Sequence, residues 1–106
     1  MAYKREDKPE YVLCAAIHYE DGKEYAHQPR NLVTGLAVSG WRHHNCFITL
    51  ATCFPDRSYI GDDKLTQGFL TSKGNFLNRE EAAALAFASG QTTEPLTRLF
   101  SEDVWG

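Results

Sequence analysis

The densest cluster of hydrogen-bonding side chains in the sequence is the run from Arg42 to Asn45, which reads Arg-His-His-Asn. At the predicted start of a helix, such a run suits an anion or the edge of a nucleotide. Cys46 follows directly, so a thiol nucleophile paired with His43 or His44 is a second interpretation, although adjacency in sequence does not place a base against a nucleophile. A polar helix cap with one histidine packed inward is the third. Neither Cys-x-x-Cys nor His-x-x-x-His spacing occurs, so we predict no metal site.

A second candidate site lies where a predicted strand and turn lead into a predicted helix. Gln67 and Gly68 precede Phe69, and a glycine inside a strand often marks the close approach of a ligand or of another backbone segment. Asn78 is a good N-cap, and Arg79 follows at the first helical position, where the helix dipole and free N–H groups favour a phosphate. The alternative is that Phe69 lies in the core and Arg79 is solvated.

A third polar group consists of Ser101, Glu102 and Asp103. These side chains could accept hydrogen bonds from ribose hydroxyls, or they could cap a last helical turn. The sequence has no phosphate-loop or dinucleotide-binding glycine pattern, and no pair of carboxylates suggests hydrolysis. We therefore predict a ligand-binding protein that is not an enzyme and that needs no cofactor.

A few strands and helices must position these groups. In chain order, the predicted elements are strands at residues 11–19, 24–27 and 32–38, a helix at 41–54, strands at 66–71 and 76–77, and a helix from residue 79 to Gly90. Asp21-Gly22 predicts a hairpin turn after the first strand. The order predicts an α+β fold, a small antiparallel sheet with two helices, the second of which follows a C-terminal β-hairpin. Residues 1–10 are predicted to be a flexible arm, and residues 11–106 one ligand-binding domain.

Composition limits the class of partner. The net charge is −3 and the Lys and Arg residues are scattered, which argues against a surface for DNA or RNA polymers. The three cysteines are an odd number without paired spacing, which favours a reducing cytosol. No apolar run approaches the roughly 20 residues of a membrane span. We therefore expect a soluble, cytoplasmic protein without a membrane partner.

Four segments together resemble a known family of phage proteins. They are AAIHYEDGKEYAHQPRN at 15–31, GWRHHNC at 40–46, QGFLTSKGNFLNREEAAALAF at 67–87 and LFSEDVW at 99–105. They are similar to the Thoeris anti-defence sponges of the first type, which bacteriophages carry against a bacterial immune system. Residues 55–65 have no recognisable match, which leaves the contribution of that loop open.

The resemblance implies a function that composition does not reveal. Such a sponge binds glycocyclic ADP-ribose, a signal made by defence proteins with TIR domains, without degrading it in the infected host cytoplasm. The resemblance also implies homo-oligomers, dimers that can form hexamers, with ligand pockets at subunit interfaces. For some members it implies binding of cyclic di- or trinucleotides at separate sites.

The family motifs fall on the residues already singled out. The aromatic residue after the glycine is Phe69, and the polar pair that opens the second helix is Asn78-Arg79. The candidate ligand-binding residues are Arg42, His43, His44, Asn45, Gln67, Gly68, Phe69, Asn78, Arg79, Ser101, Glu102 and Asp103.

Two other classes of function stay open. One is an enzyme that cleaves the nucleotide with His43 or His44 as acid or base. The other is a protein-interaction module that blocks a host factor through Trp41, Phe100 and Trp105.

Overall fold

The computed structural model describes residues 9–53 and 64–105, and its strands and helices form an α+β fold. The elements in chain order are β1 (Val12–Tyr19), β2 (Leu36–Gly40), α1 (His43–Cys53), β3 (Leu65–Thr71), β4 (Phe76–Asn78), α2 (Arg79–Ala88) and α3 (Ser101–Trp105). The four strands form one antiparallel sheet in the order β2-β1-β3-β4. The predicted fold class is confirmed. Of the predicted segments, residues 1–8 of the arm and residues 54–63 of the helix end and loop lie outside the described residues.

The core lies between one face of the sheet and the helices. Under α1 the buried residues are Ala15, Ile17, Tyr19, Val38, Cys46 and Leu50, and under α2 they are Val12, Phe69, Ala82, Ala83, Ala86 and Leu99. Phe69 pairs directly with Ala15 across β3 and β1, and paired residues point to the same face of a sheet. The two clusters therefore lie side by side, and α1 and α2 cover the same face.

The unit from β3 to α2 is the best predicted part of the chain. Asn78 is the N-cap of α2, and its side chain accepts a hydrogen bond from the Glu81 N–H (2.8 Å). The Glu81 carboxylate accepts one in return from the Asn78 N–H (3.0 Å), which completes a capping box. Gly74 and Gly90 take positive φ, at the turn before β4 and after the end of α2 respectively. Local turn and cap chemistry therefore positions Arg79 at the first turn of α2.

The prediction of a strand at residues 24–27 is wrong. The chain bends at Gly22, which takes positive φ, but the predicted hairpin does not form, because the chain that follows is irregular until β2 begins at Leu36. Pro29 lacks the N–H that a strand ladder needs. Gly35 takes a φ of 89°, which interrupts the predicted strand at 32–38 and delays its start.

The helices also differ from the prediction in number. α3 is a third helix, where the sequence predicted only a capped last turn. Its cap is present, because the Asp103 carboxylate accepts a hydrogen bond from the Phe100 N–H (2.9 Å). No helix within the described ranges is long and apolar enough to cross a membrane.

Candidate functional site

A polar cavity of about 370 Å³ opens beside the first turn of α2. It is formed by the start of β3, the start of α2 and the segment before α3, and its lining residues are Leu65, Thr66, Gln67, Asn78, Arg79, Glu80 and Arg98. Two of these side chains are guanidinium groups, whereas Glu80 contributes the one carboxylate of the lining. The cavity therefore carries a local excess of positive charge in a chain whose net charge is −3.

Arg79 is held in a fixed position at this cavity. Its Nη1 donates to the Leu99 carbonyl and its Nη2 to the Gln67 side-chain oxygen, both at 2.8 Å. The guanidinium also lies over the Phe100 ring, 4.4 Å from its centroid. These two bonds use two of the five N–H donors of an arginine, so the group is oriented and still has donors for an anion.

Charges of both signs act on Arg79 at this cavity. Burial is the largest effect and lowers the pKa of Arg79, the charges of Glu102 and Asp103 oppose this effect, and the charge of Arg98 lowers the pKa further. Arginine nevertheless stays protonated in proteins. Two guanidinium groups that repel each other across a small cavity favour an anion between them, because the anion removes the repulsion.

Four of the predicted site residues are buried, namely His43, Gly68, Phe69 and Ser101. His43 is 8% exposed and Ser101 4% exposed. The His43 Nε2 lies 2.7 Å from the Gly68 carbonyl oxygen, and its Nδ1 lies 3.1 Å from the Ser101 hydroxyl. Because a carbonyl only accepts, we assign the proton to Nε2, and Nδ1 accepts from Ser101. Burial is the largest effect on His43 and lowers its pKa, so the ring is neutral at pH 7.

Phe69 and Gly68 are packed within the fold. Phe69 is 0% exposed, with its ring edge-on to His43 at 5.0 Å and near Trp105 at 5.9 Å. A base could stack on it only after these neighbours had moved, so its contact with a ligand stays a prediction. A Cβ atom at Gly68 would overlap the Leu77 carbonyl. The close approach that this glycine permits is therefore between β3 and β4.

The Arg42–Asn45 run forms the polar cap that was the third interpretation. The Asn45 side chain accepts a hydrogen bond from the Arg42 N–H (3.1 Å), and His43 points inward. The Arg42 guanidinium donates to the Trp41 and Trp105 carbonyls, both at 3.1 Å, and lies 5.1 Å and 5.6 Å from their ring centroids.

The other predicted residues are dispersed over the surface. His44 is exposed on α1 and lines a separate cavity with Phe47, Ile48 and Ala51. Glu102 and Asp103 are exposed on α3, where Asp103 forms the cap described above. The structure thus brings Gln67, Asn78 and Arg79 together in the lining of the cavity, which includes none of these three residues. Glu102 and Asp103 are nevertheless near enough for their charges to act on Arg79.

Cys46 is a poor candidate for a nucleophile. It is fully buried, and burial raises the pKa of its thiol to about 11. At neutral pH the thiol therefore stays protonated, whereas the thiolate is the reactive form. Within residues 9–53 and 64–105, no group of three or more metal-ligating side chains is close enough to hold an ion.

Arg98 lines the cavity and is a candidate site residue that the sequence analysis does not identify. It stands alone between Thr97 and Leu99, outside every motif, and no periodicity marks it. The only available signal was its position just before the LFSEDVW segment. Its place on the cavity depends on how residues 95–100 fold back across the start of α2, which local pattern does not reveal.

Comparison with known protein families gives a match over most of the chain. The family model described as Phage T4 y16D protein matches residues 11–105, which include every residue that lines the cavity. No match was found among curated proteins or among solved structures.

Proposed function

We propose that this chain, which belongs to the phage T4 y16D protein family and is therefore a phage protein, acts as a sponge for a small cyclic nucleotide. The proposed ligand is glycocyclic ADP-ribose. The protein would bind this signal in the host cytoplasm and hold it uncleaved, which would suppress Thoeris immunity. The family membership supports the phage origin, and the ligand is argued from the cavity and from the resemblance described above.

The observation that carries the proposal is the pair of guanidinium groups on one polar cavity. Cyclic ADP-ribose isomers contain a pyrophosphate, which is doubly charged. Arg79 and Arg98 can each form charge-assisted hydrogen bonds to phosphate oxygens, and the start of α2 adds the positive end of a helix dipole. The cavity volume of about 370 Å³ lies within the range of roughly 300–1,000 Å³ that is typical of small-molecule sites.

The remaining lining residues suit the sugars of such a ligand. Gln67 and Asn78 both carry side-chain amides beside Arg79, and amides can bond ribose hydroxyls. The oxygen of the Asn78 amide caps α2, which leaves its nitrogen as the donor for a ligand. Tight sequestration requires slow release, which an open cavity on one protomer does not favour. We therefore include a second copy of the chain, which would close the cavity, in the proposal.

Binding without cleavage is supported by two of the three groups that the sequence nominated for catalysis; the third, His44, is exposed on α1 and lines a separate cavity. Both ring nitrogens of His43 are engaged by Gly68 and Ser101, and the ring is buried. The Cys46 thiol is protonated at neutral pH, because burial raises its pKa to about 11. Neither group is available to attack a ligand or to move a proton on it.

Calorimetric titration with glycocyclic ADP-ribose tests the site. Arg98→Ala and Arg79→Ala should each weaken binding, because each removes a charge-assisted phosphate contact worth about 1.5–3 kcal/mol. That loss corresponds to roughly ten- to a hundredfold in affinity.

Arg30→Ala is the matched control for this titration. Arg30 lines a different cavity, together with Leu13 and Leu70, so its loss should leave the affinity unchanged. Circular dichroism should report the same fold for all variants. Binding at full affinity by both cavity variants would refute the site. An equal loss of affinity in Arg30→Ala would show that the change in net charge, and not the cavity, causes the effect.

A second candidate function rests on a different surface. Ile48, which is 53% exposed, lines the apolar cavity on α1, and Trp41, which precedes this helix in the chain, is 75% exposed. Exposed aromatic and apolar side chains are enriched at protein interfaces. A module that blocks a host protein through this surface would give no thermal shift with any nucleotide, whereas the sponge would be stabilised by its ligand in proportion to ligand concentration.

A further inference from the structure

Arg79 ties β3 to the segment that precedes α3. Its guanidinium bonds the Gln67 side chain on β3 and the Leu99 carbonyl, both at 2.8 Å. The cavity lies between these two segments. Gln67 on β3 lines one wall, and Arg98, which precedes Leu99, lines another. We call this pair of hydrogen bonds the outer tie, since it lies at the cavity.

His43 makes a second tie between the same two segments, deeper in the fold. It bonds Gly68, which follows Gln67, at 2.7 Å, and Ser101, which lies two residues after Leu99, at 3.1 Å. This inner tie is buried, whereas the outer tie is reached from the cavity. The two ties therefore fix the separation of the same pair of segments from two depths.

A bound phosphate would affect only the outer tie. If the Arg79 guanidinium turned part of its hydrogen bonding toward a phosphate, its bonds to Gln67 and Leu99 would weaken. The inner tie would remain, and it would keep the distance between Arg98 and the start of α2 unchanged. The affinity of the site therefore depends on the inner tie, although His43 itself does not reach the cavity.

We propose that His43 is a positioning residue of the nucleotide site. Through its bonds to Gly68 and Ser101, it holds β3 and the segment before α3 at the separation that ligand binding requires. This inference rests on the proposed function. It assigns His43 a role different from the ligand contact that the sequence predicts. The ring is well suited to the task, because a neutral imidazole offers one donor and one acceptor, and the edge-on contact with Phe69 at 5.0 Å fixes its plane.

Two substitutions at this position separate hydrogen bonding from packing. His43→Gln keeps an amide donor for Gly68 and a carbonyl acceptor for Ser101. His43→Leu fills the space but leaves both partners unpaired in the interior. In calorimetric titrations with glycocyclic ADP-ribose, we expect His43→Leu to lose at least about tenfold in affinity and His43→Gln to recover most of that loss.

A third variant and a control keep the test decisive if His43→Leu does not fold. Ser101→Ala removes only the hydroxyl of the inner tie and should also weaken binding by about tenfold. Thr71→Ala is the control, because Thr71 is equally buried and hydrogen-bonded but lies at the opposite end of β3, where its hydroxyl bonds Glu10. Each titration is run below the melting temperature of its variant, as measured by circular dichroism.

The outcomes separate this inference from the function on which it rests. If His43→Leu or Ser101→Ala bound with wild-type affinity while Arg98→Ala bound weakly, the proposed role of the inner tie would be refuted. The proposed sponge function would still stand. An equal loss in Thr71→Ala would also overturn it, because loosening of the whole fold would then explain the effect. If the wild-type chain failed to bind the nucleotide, both proposals would fall.

Discussion

Arg79 has a structural role and a proposed binding role at the same time. Its bonds to Leu99 and Gln67 stabilise the fold, and its place over the Phe100 ring orients the guanidinium toward the cavity. An arginine held in this way loses less conformational entropy on binding than a free surface arginine. Arg98 carries the other guanidinium of the cavity, and this side chain is exposed.

The buried imidazole of His43 predicts a dependence of stability on pH. Burial lowers the pKa of His43 below its ordinary value of 6.5; the Gly68 carbonyl and Glu102 oppose this shift, and Arg79 reinforces it. The unfolded chain therefore binds the proton more readily than the folded chain. It follows that the contribution of His43 to the free energy of unfolding is complete above pH 6.5 and is lost as the pH falls through the lowered pKa.

Urea denaturation at several pH values between 5 and 8 measures this effect. The free energy of unfolding of the wild-type chain should fall more steeply below pH 6.5 than that of His43→Gln, which has no titrating ring. All groups other than residue 43 are the same in the two proteins, so their contributions cancel in the comparison. Parallel curves for the two proteins would contradict the assignment of a neutral, buried ring.

At the scale of elements, the capping box of α2 links local sequence to the site. Asn78→Ala removes the acceptor for the Glu81 N–H and should lower the free energy of unfolding by about 1 kcal/mol. Asn78→Ser keeps a capping oxygen and should recover most of the stability, but it lacks the amide nitrogen proposed to contact the ligand. Chemical denaturation and titration of both variants check this, and equal stability of the two would contradict the cap.

Local chemistry explains which elements the sequence could predict. The turn at Gly74, the cap at Asn78 and the stop at Gly90 are each decided by residues within a few positions, so β3, β4 and α2 were predictable. The predicted helix at 41–54 corresponds to α1, since Cys46 and Leu50 lie on its buried face at helical spacing.

Contacts between distant residues explain the parts that the sequence could not predict. The Asn31 amide both donates to the Phe76 carbonyl (2.6 Å) and accepts from the Phe76 N–H (2.8 Å), and these residues lie 45 positions apart. The Gln91 amide binds both backbone groups of Val12 in the same way. Side chains thus take the place of strand partners, and no local pattern reveals such pairs. Contacts between distant residues also decide that Arg98 lies at the cavity and that His43 bonds Gly68 and Ser101, so local sequence did not reveal either arrangement.

At the scale of the whole molecule, β1 is the element on which both halves depend. It pairs with β2 on one side and β3 on the other, and it contributes to the core under both helices. α1 and α2 are therefore held on one sheet, which places the His43 end of α1 against the elements that form the cavity. A shift of α1 would therefore move His43 relative to the elements that form the cavity.

The small side chains of α2 are divided between the core and the surface. Ala82, Ala83 and Ala86 are buried against the protomer's own sheet. Ala84, Phe87 and Ala88 are exposed on α2, so the proposed second copy could pack against these three side chains. The assembly stays a proposal, and its size is measured in the same experiment as the ligand.

Native mass spectrometry of the protein after incubation with glycocyclic ADP-ribose tests the central claim most directly. It reports the number of chains in the assembly, the number of ligands bound and the mass of each ligand after release by denaturation. We predict a dimer or a hexamer that releases the nucleotide at its original mass, with no product beyond that of a protein-free control. Release of a hydrolysed nucleotide, or an assembly that carries no nucleotide at saturating concentration, would contradict the sponge.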